Sequence, residues 1–159
     1  MKNILVLEDD PANLQVFAAL LWSSGHHVIE ASTAREALDA AGRSDQLDLL
    51  VSDVALKGDQ MSGTDVATAL LDSHGNLPIL FVTGTPMDFW DEADRRNLRA
   101  LRSKTRVAML EKPFMPSPFE SAVERLLQPN AVADTINGGT PVIAARPISG
   151  IAITVAWKT

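Results

Sequence analysis

The stretch that decides the fold is LDLLVSDVALKGDQMSG, residues 47–63. Its apolar run is typical of a buried β-strand, yet the run gives way to the carboxylate of Asp53 and then to a loop of small and polar residues. A buried carboxylate without a partner costs several kcal/mol. We therefore expect groups from elsewhere in the chain to meet Asp53 in space.

The composition indicates a single globular domain with a sizeable core. The chain has 159 residues, of which 46% are hydrophobic and 21% charged, as in ordinary folded domains. The absence of cysteine excludes disulfides and thiolate metal sites. A net charge of -6 argues against nonspecific nucleic-acid binding. No apolar run is long enough for a membrane helix and no signal-peptide pattern is seen, so we expect a cytoplasmic protein without membrane contact.

Two hydrophobic periods alternate along the first 128 residues. Short apolar or β-branched runs predict strands at residues 4–7, 27–29, 47–52, 78–82 and 107–110. Helical periodicity predicts helices at residues 11–24, 33–41, 63–73, 87–103 and 116–127. Strand alternating with helix five times indicates an α/β fold, a parallel sheet with helices on both faces.

Polar residues follow four of the five predicted strands. They are Glu8 and Asp9, Asp53, Thr83, and Lys112. A single acidic residue after a strand is commonly a helix N-cap or a solvated loop residue. Ligands of such sheets, however, bind beyond the carboxyl ends of the strands, and together these residues predict a site there.

The chemistry of this set favours phosphoryl transfer. Two carboxylates about 4 Å apart repel by about 4 kcal/mol at an effective dielectric near 20, and a hard cation such as Mg²⁺ relieves that repulsion. Lys112 adds a positive charge and Thr83 a hydroxyl donor. Asp53 is the natural nucleophile, because it ends a central strand between the acidic pair and the Thr/Lys side.

Four ordered motifs carry a family resemblance: ILVLEDDP, LLVSDVAL, PILFVTG and MLEKPF. Over about residues 2 to 128 the chain resembles the receiver domain of two-component response regulators, of the single-domain, chemotaxis-regulator-like type. The resemblance implies a flavodoxin-like, doubly wound, five-stranded parallel sheet in the order 2-1-3-4-5, with five helices. It also implies a cis peptide bond between Lys112 and Pro113.

The resemblance assigns roles to the residues at the strand ends. Asp53 would accept a phosphoryl group from a sensor histidine kinase or a phosphotransfer protein. Mg²⁺ would be held by Glu8, Asp9, Asp53 and the backbone carbonyl of Ala55, and the phosphoryl oxygens by Thr83 and Lys112. The phosphorylated form would act on a downstream protein partner without direct DNA binding. Such a protein is not an enzyme in the turnover sense, because it catalyses only its own phosphorylation and dephosphorylation.

Three departures from the family pattern have consequences. The loop after Asp53 is longer than usual, and we expect it to bulge at residues 57–60 without disturbing Asp53. Met109 stands where many receivers carry a tyrosine or phenylalanine, so the usual coupling of that ring to the threonine is in doubt. Ala55 has no side chain to orient an attacking water, which predicts a long-lived phosphoryl group.

The predicted fourth helix carries a basic stripe of Arg95, Arg99, Arg102 and Arg106. The stripe is either a solvated helix face or a docking surface for an acidic partner. Phe89 and Trp90 are either core residues of this helix or a cap on that surface.

The composition changes after residue 128, which divides the chain into a receiver domain, 1–128, and a C-terminal extension, 129–159. Alternation at Ile151, Ile153, Val155 and Trp157 predicts a half-buried strand, paired with the PVIAA segment in a loose hairpin. An isolated hairpin is marginal in water. The extension would therefore pack on its own domain or on a second copy, and a homodimer could form through it or through the fourth-helix face.

Two alternatives use the same residue types. A haloacid-dehalogenase-like phosphatase also has an aspartate nucleophile, but it requires a second aspartate two residues later, where this chain has Ala55. A pseudo-receiver would bind partners without phosphorylation, although every key residue of a functional receiver is present here.

Overall fold

The computed structural model describes residues 1–128, 142–144 and 154–156. Five strands form the main sheet: β1 Asn3–Leu7, β2 His27–Ala31, β3 Leu49–Ser52, β4 Ile79–Thr83 and β5 Val107–Glu111. Five helices alternate with them: α1 Pro11–Ser23, α2 Ala34–Gly42, α3 Gly63–His74, α4 Glu92–Lys104 and α5 Pro116–Leu127. The predicted alternation of strand and helix is thus confirmed, with boundaries that differ by a few residues.

The sheet is fully parallel, with strand order β2-β1-β3-β4-β5. This order confirms the predicted flavodoxin-like fold. Side chains alternate across each strand, so Leu5 and Leu7 join one apolar cluster with α2, α3 and α4, whereas Ile4 and Val6 join another with α1 and α5. Helices therefore cover both faces, and the central strands are fully buried.

Local sequence signals set where the helices begin. The carboxylate of Asp10 accepts hydrogen bonds from the N–H groups of Ala12 and Asn13, and Pro11 occupies the first turn of α1. Ser62 and Asp65 form a reciprocal capping box at the start of α3. Each cap sets the start of its own helix, and each of these helices follows a strand-end loop that carries predicted site residues.

The fourth helix differs from its prediction. It was expected from Met87 onward, but Met87–Phe89 forms a 3₁₀ turn and α4 begins at Glu92. The cause is Asp91, whose carboxylate caps the helix by accepting the N–H of Asp94. Trp90 is buried, whereas Phe89 is 79% exposed, so only one of the two rings is a core residue.

The arginine stripe is largely bound within the domain itself. Arg95 and Arg99 both pair with Glu92. Arg102 places its guanidinium against the sulfur of Met109, and Arg106, which lies beyond the end of α4, donates to the carbonyl of Gln128. A docking role for this stripe stays a prediction.

Two short strands of the C-terminal segment are described, β6 Val142–Ala144 and β7 Thr154–Ala156, which pair in antiparallel fashion. The backbone of β7 lies near that of β5. The connector of the predicted hairpin, and its strand residues at 151–153 and 157, lie outside the described residues. The division into a domain and an extension, and the dimer, stay predictions. None of the helices in the described part of the chain has the length and apolarity to cross a membrane.

Candidate functional site

The topology brings the predicted site residues to one edge of the sheet. Because β1, β3, β4 and β5 run parallel as neighbours, their carboxyl ends share that edge. Glu8 and Asp9 follow β1, Asp53 follows β3, and Lys112 follows β5. Thr83 is the last residue of β4.

Three carboxylates meet at this edge. Glu8, Asp9 and Asp53 each present an oxygen within 4.8 Å of the others. Glu8 is 1% exposed and Asp53 8% exposed, so two of the three have little water to screen their charges. Carboxylate oxygens at this spacing suit a hard divalent cation, and the group fits the Mg²⁺ that the sequence predicted.

The ammonium of Lys112 bridges two of the carboxylates. Its Nζ lies 2.6 Å from Glu8 Oε2 and 2.8 Å from Asp53 Oδ2. Burial raises the pKa of Glu8 even though Lys112 opposes the shift. Burial alone would lower the pKa of Lys112, but hydrogen bonds and charge from Asp53 and Glu8 outweigh it and raise the pKa instead. Lys112 therefore stays positively charged in the site.

Backbone N–H groups orient the acidic side chains. Asp53 Oδ1 accepts from Val54 at 2.6 Å and from Ala55 at 3.2 Å. Asp9 Oδ2 accepts from the N–H of Lys57 at 3.2 Å. Asp53 thus presents Oδ2 toward Lys112 while its other oxygen is held by the loop. The use of the Ala55 carbonyl as a metal ligand stays a prediction.

Thr83 occupies the predicted edge, but its hydroxyl hydrogen-bonds within its own loop. Thr83 Oγ1 accepts from the N–H of Thr85 at 3.1 Å. The side chain is 1% exposed. Among the predicted site residues the structure therefore joins Glu8, Asp53 and Lys112 by direct contacts, whereas Thr83 contacts Thr85.

Gly63 contributes to the site in a way that the sequence reasoning missed. Its N–H donates to the carbonyl of Val54 at 2.8 Å and closes the base of the loop after Asp53. A Cβ at this position would overlap the carbonyl oxygen of Asp53 and approach the hydroxyl of Ser52. Its φ is ordinary, so the sequence signal was only a glycine directly after the capping Ser62.

An aromatic stack supports Lys112 from the side of α1 and α5. The rings of Phe17, Phe114 and Phe119 stack with centroids 5.4 to 5.6 Å apart. The Lys112 ammonium lies 5.7 Å from the centre of the Phe17 ring, within cation–π range. The peptide bond between Lys112 and Pro113 is cis, as predicted.

Comparison with known proteins identifies the family of the chain. The family model described as the response regulator receiver domain matches residues 4–124. The chain belongs to this family. The receiver resemblance drawn from the four motifs is thereby confirmed. Receivers are signalling modules of two-component systems, for which Mg²⁺ binding and phosphorylation are typical.

Individual relatives support the same assignment. The receiver is 30% identical over 126 residues to the phyllosphere-induced regulator PhyR of Methylorubrum extorquens, covering 79% of this chain and 43% of PhyR. It is 31% identical over 97 residues to the polar-differentiation response regulator DivK of Brucella suis, covering 60% of this chain and 76% of DivK. The chain thus spans less than half of PhyR.

A solved structure supports the fold. The chemotaxis protein CheY4 of Vibrio cholerae superposes with a TM-score of 0.67 and 25% sequence identity, covering 80% of this chain and 99% of CheY4.

Proposed function

We propose that this receiver is a phosphorylation switch of a cytoplasmic phosphorelay, in which Asp53 accepts a phosphoryl group from a histidine kinase or a phosphotransfer protein. The observation that carries the proposal is the contact of 2.8 Å between Asp53 Oδ2 and Lys112 Nζ inside the acidic cluster. This arrangement supplies a nucleophile beside a cation that can neutralise incoming phosphoryl oxygens.

The transfer step uses a carboxylate oxygen of Asp53. That oxygen attacks the phosphorus of a phosphohistidine, the P–N bond breaks as the new P–O bond forms, and the leaving imidazole nitrogen takes up a proton from solvent. No proton has to leave Asp53, because the nucleophile is already a carboxylate. The product is an aspartyl phosphate on the loop that follows β3.

The metal would be held by Glu8, Asp9, Asp53 and the carbonyl of Ala55. When bound, Mg²⁺ would screen the carboxylates from each other and from the phosphoryl oxygens. Asp9 is positioned for this by the N–H of Lys57. Lys112 can exchange part of its contact with Asp53 for the phosphoryl group while it keeps its contact with Glu8.

The new charge would then change a protein-binding surface. Thr83 and Lys112 would turn toward the phosphoryl oxygens, and the loop after β4 would follow, together with α4 and β5. A cleft lined by Val16, Phe17 and Phe114 beside Lys112 gives a phosphodonor protein an apolar surface next to Asp53. The output would be a protein contact, and the domain turns over no substrate other than its own phosphoryl group.

The test is phosphorylation by a small phosphodonor. The wild type incubated with acetyl phosphate and Mg²⁺ should gain one phosphoryl group by intact mass spectrometry. Asp53→Asn and an EDTA-treated wild type should gain none. Asp45→Asn, which changes an exposed carboxylate in a loop, is the matched control and should be labelled like the wild type.

Two outcomes would contradict the proposal. Labelling of Asp53→Asn to the wild-type extent would place the acceptor elsewhere. A wild type that stays unlabelled by acetyl phosphate, and also fails to bind beryllofluoride, would favour the phosphorylation-independent binding module.

A further inference from the structure

A chain of hydrogen bonds runs from the end of β4 to the residue that precedes the cap of α4. The hydroxyl of Thr83 accepts from the N–H of Thr85 at 3.1 Å. The carbonyl of Thr85 in turn accepts from the indole N–H of Trp90 at 2.9 Å. The hydroxyl of Thr83 also lies 3.4 Å from the same carbonyl, so Thr83 contacts both backbone groups of Thr85 and shares the carbonyl with Trp90.

Trp90 connects this chain of hydrogen bonds to the sheet and to α4. Its side chain is 4% exposed, and its ring meets that of Phe81 in β4 edge-on, with centroids 6.4 Å apart. The next residue, Asp91, caps α4. A displacement of Trp90 would therefore move the first turn of α4, because a single peptide bond separates it from the cap.

Met109, which pairs with Phe81 in the register of β4 and β5, cannot couple to Thr83 through a hydrogen bond. Met109 is 7% exposed and belongs to the same apolar cluster as Trp90. Its thioether offers no hydrogen-bond donor, and its sulfur already lies 3.5 Å from the guanidinium of Arg102. The chain contains no tyrosine, so a phenolic ring is not available for the coupling that the receiver resemblance would place here.

We propose that Trp90 is a positioning residue that transmits the state of Thr83 to α4 through the backbone of Thr85. The proposal rests on the phosphorylation of Asp53 set out above. When Thr83 turns its hydroxyl toward a phosphoryl oxygen, the N–H of Thr85 loses its acceptor. An unpaired N–H is costly in a part-buried loop, so the backbone of residues 83–85 shifts, and the indole hydrogen bond carries that shift to Trp90.

The indole N–H of Trp90 can report the relay directly. The chain has three tryptophans, so a ¹H–¹⁵N spectrum contains three indole cross-peaks, which Trp22→Phe, Trp90→Phe and Trp157→Phe assign. The full chain is titrated with Mg²⁺ and beryllofluoride, and bound fluoride is followed separately by ¹⁹F NMR. Trp22, which is 54% exposed on α1, provides the internal control.

The expected result is a shift of the Trp90 cross-peak that saturates with bound fluoride, while the Trp22 cross-peak stays in place. In Thr83→Ala, which lacks the hydroxyl, fluoride should bind more weakly, and at concentrations that ¹⁹F NMR shows to be saturating the Trp90 shift should be lost. Thr83→Ser restores the hydroxyl and should restore the shift. In Trp90→Phe, which keeps a ring but lacks the donor, fluoride should bind while the α4 amides lose their response.

The failure of the relay and the failure of the proposed function are distinguishable. Bound fluoride with an unmoved Trp90 cross-peak, or an equal shift in Thr83→Ala, would overturn the relay and leave the phosphorylation switch standing. A ¹⁹F spectrum without bound fluoride would overturn both. If Trp90→Phe is too unstable to study, the comparison of the wild type with the two Thr83 variants decides alone.

Discussion

Lys112 and Glu8, which are 104 positions apart in the chain, form a contact of 2.6 Å between Nζ and Oε2. The contact joins the ends of β1 and β5, which flank β3 and β4 in the sheet. Because Lys112 also touches Asp53, one ammonium offsets two carboxylates that are almost fully buried. The site therefore carries its own cation before any metal arrives.

Lys112→Met should destabilise the domain by about 3 kcal/mol in metal-free buffer, because it leaves two buried carboxylates without their ammonium. Added Mg²⁺ should recover part of that loss, since a divalent cation can take over the neutralisation. Urea unfolding with and without Mg²⁺ measures both effects. Lys104→Met, which removes a largely exposed lysine 3.9 Å from Asp72, should change little. Equal losses in the two variants would contradict the prediction.

Gly63→Ala should destabilise the domain by about 3 kcal/mol, because the added Cβ would overlap the backbone of Asp53. It should also weaken Mg²⁺ binding, since the displaced backbone carries Asp53, which we propose as a metal ligand. Gly42→Ala is the matched control, because a Cβ there meets open space at the end of α2. That control should be neutral or slightly stabilising in the same denaturation series. If Gly63→Ala is as stable as the wild type, the backbone of Asp53 moves away from the added Cβ at no measurable cost, and the prediction is wrong.

Thr64→Val should cost about 2 kcal/mol by removing a buried hydroxyl that links α3 to α4. Thr64 Oγ1 donates to Asp94 Oδ1 at 2.6 Å and accepts from Asn97 Nδ2 at 3.1 Å. Valine keeps the shape but leaves both partners short of a hydrogen bond. Thr64→Ser, which restores the hydroxyl, should recover most of the loss in urea unfolding. A serine variant no more stable than the valine variant would assign the effect to packing.

Asp48 should make stability depend on pH in acid. Burial alone would raise the pKa of Asp48, but the N–H of Asn3 and the ammonium of Lys2 outweigh it and hold the pKa below its usual value. A carboxylate with a lowered folded pKa stabilises the protein above its unfolded pKa, about 3.9, and that stabilisation is lost as pH falls through the folded value.

The stability difference between the wild type and Asp48→Asn should be about 1 kcal/mol at pH 6 and should shrink below pH 4. Urea unfolding across this range measures it, and Asp45→Asn corrects for the change in net charge. A difference that stays constant down to pH 2 would show that Asp48 contributes through shape rather than charge.

The fold was predictable because the hydrophobic periods and the polar residues at the strand ends both indicate a parallel sheet with helices on both faces. The apolar run before Asp53 and the acidic pair after β1 are local features, and the parallel topology then requires that they share one edge. By the same reasoning, Lys112, which follows β5, is predicted to lie at that edge with Asp53.

What the sequence left open depends on contacts between distant residues. The start of α4 was misplaced because Met87 and Phe89 continue a helical pattern, whereas the capping carboxylate of Asp91 determines where the helix begins. The close approach of Gly63 to Asp53 arises from three-dimensional packing rather than from a positive φ, so no turn signal announced it. The contact of the Thr83 hydroxyl with Thr85 likewise depends on the side-chain rotamer of Thr83, which no sequence pattern specifies.

The hydrogen bond between Gly63 and Val54 also allows the loop between these two residues to vary in length without moving β3 or α3. This bond closes the loop at its base, so the number of residues in the loop over 55–62 does not set the distance between β3 and α3. Gly58, exposed and with a φ of 76°, lies in this loop where a Cβ would meet open space, so residues added there need not strain the backbone on either side. Insertions at Gly58 would thus offer an attachment point for a peptide tag or a fluorophore close to Asp53.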